Sequence, residues 1–71
     1  MFALARATLD SCAEALRITT PEAAPVRVGE LEERSGDACL ILCTEPGADT
    51  IAWGERAQRH FAAAQLYFPI A

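Results

Sequence analysis

The stretch Val26–Cys43, VRVGELEERSGDACLILC, decides the fold. Val26 and Val28 share one face of an extended chain, and Leu31 falls out of phase with them. A one-residue bulge at Gly29 restores the alternation. Arg34-Ser35-Gly36-Asp37 carries turn chemistry. Ala38–Cys43 is an apolar run of six residues without interruption. This reading predicts two strands, 26–33 and 38–43, joined by a four-residue turn into an antiparallel hairpin.

On the N-terminal side, Phe2, Ala5, Leu9, Cys12, Ala13 and Leu16 recur at three- and four-residue spacings. They predict an amphipathic helix over 2–18, which ends at Thr19-Thr20-Pro21. An alternative starts the helix at Ser11, where Ser11 and Glu14 match a capping box, and leaves Phe2–Ala7 as a short strand. Pro25 marks the end of the following linker.

On the C-terminal side, Thr44-Glu45-Pro46-Gly47 stops the second strand. Asp49 or Thr50 then caps a second helix. Trp53, Ala57, Phe61 and Ala64 lie within about 80° on its wheel, and Trp53 and Phe61 are expected to anchor it to the sheet. Gly54, inside this helix, is expected to mark close packing. Leu66–Ile70 suits a short edge strand, with Pro69 confining it to the margin. The expected fold is therefore a single α+β domain spanning residues 1–71. Its order is α-β-β-α, with an optional C-terminal strand and two helices on one face of a small antiparallel sheet.

Length and charge narrow the function. The chain has 71 residues, and fifteen of its apolar residues are alanine, so the core is thin. A domain of this size is marginal unless something reinforces it. Six arginines, no lysine and ten acidic residues give a net charge of −4. That balance argues against binding nucleic acid phosphates or anionic membranes directly. The longest uncharged stretch, His60–Ala71, is too short to span a bilayer that needs about 20 residues. Arg6 and Asp10 interrupt anything resembling a signal sequence. With an odd count of three cysteines, the expected location is the cytoplasm. The alanine–arginine bias suits a GC-rich bacterial or phage source.

Catalytic material is sparse. The sequence has no phosphate-binding loop, no GxGxxG, no HExxH, no CxxC pair and no GxSxG elbow. As strand residues, Cys39 and Cys43 stand roughly 13 Å apart, too far for one zinc ion or a disulfide. They read as core thiols, and no cofactor or metal is expected. His60 reads as a partly buried helix-surface residue. Glu30, Glu32 and Glu33, with Asp37 across the turn, form an acidic cluster that suits a protein partner with a basic surface. Tyr67 is the best aromatic candidate for the same interface.

The expected function is a small non-catalytic interaction module, an inhibitor or accessory factor that binds a larger macromolecule. The alternative is a ligand-binding protein or enzyme whose pocket, lined by His60, Tyr67 and one of the acidic residues, forms at a subunit interface. The all-apolar strand 38–43 has no polar face for water, which predicts a homo-oligomer through the sheet.

Overall fold

The computed structural model describes residues 1–68 and contains three α-helices: α1 (Phe2–Ile18), α2 (Pro25–Cys43) and α3 (Thr50–Gln65). No strand occurs among the described residues. The α+β expectation is thereby corrected to an all-helical three-helix bundle. Both expected strands and the turn between them belong to one continuous helix, α2. Leu66, Tyr67 and Phe68 form a turn and bend rather than a strand, and Pro69 and Ile70 lie outside the described residues.

Local chemistry explains why α2 is a helix. Pro25 sits at its first turn, where a missing N–H costs nothing. Glu30, Glu32, Glu33 and Arg34 are good helix formers and poor strand formers. Val28, Leu31, Ser35, Ala38, Cys39 and Leu42 are all buried, and their three- and four-residue spacing makes one helical face. Ser35 and Gly36, which imitate a turn, occupy that face. Ser35 is 1 % exposed, and its hydroxyl donates to the Leu31 carbonyl one turn back, at 2.8 Å. This satisfies the hydroxyl inside the helix.

The two α2 glycines serve packing. A Cβ at Gly36 would stand 2.6 Å from a Phe61 ring carbon. At Gly29 it would stand 3.0 Å from the Phe68 ring and from Tyr67 Cβ. The glycines are seven residues apart, two helical turns, and so present one side of α2 to α3. The bulge expected at Gly29 is corrected accordingly: its missing side chain admits Tyr67 and Phe68 from the turn and bend that follow α3.

α1 runs the full length of the longer helical alternative, with Ser11 well inside it. Glu14 and Arg17, one turn apart, form an ion pair at 2.7 Å. For α3, Asp49 is the N-cap, its carboxylate accepting from Ala52 N–H at 3.0 Å. The α2–α3 connection turns at Gly47, whose φ of +82° lies in the left-handed region. Arg6 of α1 pairs with Glu45 of this connection.

α2 is the central element. α1 and α3 both pack against it, yet no Cα of α1 comes within 8 Å of one in α3. The core joins Ala5 and Leu9 of α1, Ala38, Cys39 and Leu42 of α2, and Ala57 of α3. Phe2, Ile41, Trp53 and Phe61 close its margins.

The sheet-mediated oligomer falls with the sheet. The run Ala38–Cys43 is apolar on all sides because it is helical. Ala38, Cys39 and Leu42 point into the core, while Leu40 is 48 % exposed. No helix among the described residues is long and apolar enough to cross a membrane.

Candidate partner-binding groove

Two helices that flank a third without meeting leave a groove between them. Here α1 contributes Leu9 and Leu16 as one wall, and α3 contributes Trp53, Arg56 and His60 as the other. Ser35 of α2 belongs to the same lining, which surrounds a space of about 350 Å³. Leu9 and Ser35 are buried, whereas Leu16, Trp53, Arg56 and His60 are half-buried and offer side-chain surface to an occupant. Such a mixture of apolar and aromatic walls with a few polar groups is usual for a binding cleft.

Each polar group has a traceable position. The Arg56 guanidinium lies over the Trp53 ring, 4.7 Å from its centroid, in a cation–π contact. Among the described residues, no carboxylate pairs with Arg56 or Arg59 within 4.0 Å. His60 Nδ1 meets Glu32 Oε2 at 3.1 Å, a part-buried link from α3 to α2. Both arginines also act on Cys39. Burial pushes its thiol above the ordinary value, and the nearby charges of Arg56 and Arg59 pull the other way.

Ser35, His60 and Glu32 are the residue types of a hydrolytic triad, but their geometry is structural. The Ser35 hydroxyl is turned to a backbone carbonyl of its own helix and is almost wholly buried. A nucleophile must hydrogen-bond its base and reach a substrate carbonyl. Glu32 and His60 link α2 to α3 instead, while Ser35 is satisfied within α2.

The acidic cluster anticipated from sequence is divided by the fold. Glu32 is drawn to His60. Glu30, Glu33 and Asp37 remain exposed, at three- and four-residue steps along one side of α2. Glu30 is 3.7 Å from Arg27. At 100° per residue this stripe lies roughly 140–160° around the helix from Ser35, on the side away from the groove. Tyr67 is half-buried against Gly29. The expected pocket lining of His60 with Tyr67 is therefore not what the groove brings together; Trp53, Arg56 and Leu16 stand beside His60 instead.

The cysteines also change their relation. Cys39 and Cys43 are one helical turn apart, about 5–6 Å between Cβ atoms, not 13 Å. Cys39 and Cys12 are buried, Cys43 is half-buried, and all three are free. Among the described residues, no group of three or more histidine, cysteine or acidic side chains is placed to hold a metal ion.

Sequence reasoning missed the groove because Leu16, Arg56 and Trp53 look unrelated along the chain. The one available signal was the Trp53–Arg56 spacing, three residues within a helix, which stacks the pair on one face. Comparison of the chain with protein-family models, curated proteins and solved structures returned no match.

Proposed function

We propose that the protein is a small non-catalytic interaction module of the cytoplasm, an inhibitor or accessory factor that receives a helix of a larger protein in the α1–α3 groove. The observation that carries this reading is the separation of α1 and α3. Both rest on α2, no Cα of one lies within 8 Å of a Cα of the other, and a cavity of about 350 Å³ opens between them. An entering helix would pack its apolar side chains against Leu16 and Trp53, as helix pairs do by ridges into grooves. Tryptophan and arginine are the residue types most enriched in interface hot spots, and the groove offers both. Three free thiols favour a reducing compartment.

Site-specific photo-crosslinking tests the reading. A photoreactive residue at position 16 should yield a partner adduct in cells, and the same residue at position 33 should not. The purified partner should then form a stoichiometric complex and shift the emission of Trp53, the single tryptophan. Adducts from position 33 alone, or an unchanged Trp53 spectrum in the reconstituted complex, would refute it.

A further inference from the structure

Resting on that groove reading, we infer that the occupant is an acidic amphipathic helix, bound with its carboxylates toward the α3 wall. The inference comes from how the fold sorts charge. The chain as a whole is acidic, with a net charge of −4. Most of its carboxylates stand outside the groove lining. Glu30, Glu33 and Asp37 face away on α2, and Glu32 is taken by His60. Asp10 is the one acidic side chain in the groove lining, and it sits on the α1 wall. On that wall Arg6 is already paired with Glu45.

The α3 wall differs. Arg56 lines the groove, and Arg59, three residues on, stands exposed outside the lining. Neither has a carboxylate partner among the described residues. Trp53 holds the Arg56 guanidinium over its ring, a contact that uses none of the N–H hydrogen-bonding capacity. A guanidinium held this way has lost much of its freedom before binding. It matches the planar fork of a carboxylate.

The polarity orients the occupant. Leucine-type residues on one stripe of the partner helix would fill the space between Leu16 and Trp53. Glutamate or aspartate on the adjoining stripe would meet Arg56 at the groove margin. A basic helix would place positive charge against Arg56, and like charges in a partly desolvated cleft discriminate against the wrong partner.

Three labelled helical peptides, each about three heptads long, test the inference. All carry leucine at the apolar positions; their flanking positions are glutamate, glutamine or lysine. Fluorescence anisotropy against the intact protein should give saturable binding of the glutamate peptide, weakened by salt. The lysine peptide should bind at least about tenfold more weakly, a difference of about 1.4 kcal/mol. R56Q should weaken the glutamate peptide about fivefold and leave the glutamine peptide unchanged. D10N, which removes the one opposing charge, should strengthen the glutamate peptide. Both variants are exposed or half-exposed changes, and thermal melts will verify that they remain folded. Equal, salt-independent binding of the glutamate and glutamine peptides would overturn the acidic assignment and leave the groove reading standing. Failure of all three peptides to bind would overturn both.

Discussion

The two sides of α2 are built on different principles. Toward α3, α2 removes its own side chains: Gly29 and Gly36 are hollows that receive Tyr67, Phe68 and Phe61. Toward α1 the packing is of small and aliphatic groups, Ala5 and Leu9 against Ala38 and Leu42. The first seam is specified by shape, because an aromatic ring fits one hollow and a methyl group destroys the fit. The second is specified by hydrophobicity and volume, which several side-chain combinations satisfy. The α3 seam should therefore be the brittle one.

The largest expected effect is loss of a ring from its hollow. Phe61→Ala should destabilise the fold by about 3 kcal/mol, the low end for phenylalanine truncation because Phe61 is only half-buried. Trp53→Ala, at the groove, should cost less than half of that. Urea unfolding monitored by helical circular dichroism compares the two. A larger loss for Trp53→Ala would make the groove margin, not the glycine seam, the main anchor of α3.

Next comes Gly36→Ala. Inside a helix, alanine is intrinsically better than glycine by about 1 kcal/mol. Here its Cβ would collide with Phe61 at 2.6 Å, and overpacking of this kind costs about 1–3 kcal/mol. The net expectation is a loss of about 1 kcal/mol. Phe61→Leu should partly rescue it in a double-mutant cycle, since the two positions share one volume. Gly29→Ala meets its neighbours at 3.0 Å and should be milder. Equal tolerance at Gly29 and Gly36 would contradict a shape-specified seam.

These glycines also explain what could be read from the sequence. α1 and α3 were legible, because unbroken three- and four-residue spacing marks Leu9, Cys12 and Leu16, then Trp53, Ala57, Phe61 and Ala64. The cap of the second helix was legible to within one residue, as Asp49 or Thr50, and Asp49 holds it. α2 was not, because the residues that make its α3 seam are those that punctuate loops. Ser35-Gly36-Asp37 satisfies a turn rule locally, and only the Phe61 ring, 25 residues further on, reveals why a glycine belongs there. The apolar run 38–43 then had no periodicity of its own to correct the error. One local signal did favour the helix: Glu30, Glu32 and Glu33 resist a strand. The groove was less legible still, since it depends on which helices fail to meet.

A smaller effect concerns Cys39, which is fully buried between the two seams. Burial raises its thiol above the ordinary value of 9.0. The folded chain then holds this proton more tightly than the unfolded chain. The resulting stability is present below pH 9 and is lost as pH rises through the higher folded value. Urea unfolding at pH 8 and pH 10 should show an alkaline loss that is reduced in Cys39→Ala. An identical pH dependence in both proteins would place the alkaline sensitivity elsewhere.

The smallest expected effect has the opposite sign. Gly54 lies inside α3 like the seam glycines inside α2, and from sequence it was expected to mark the same kind of close approach. The structure places nothing within 4 Å of a Cβ built there. Its φ is not in the left-handed region, so alanine fits the existing backbone. Gly54→Ala should gain from both the helical preference of alanine and the reduced freedom of the unfolded chain, for a total of about 0.5–1 kcal/mol. Thermal melting should rise by a few degrees in a domain this small. Because the chemical change is the same as in Gly36→Ala, the pair isolates what the Phe61 ring contributes: one methyl group stabilises where space is open and destabilises where a ring already fills it. A loss of stability at Gly54 would mean that the α3 surface there is not open, and would remove the contrast on which the shape-specified seam rests.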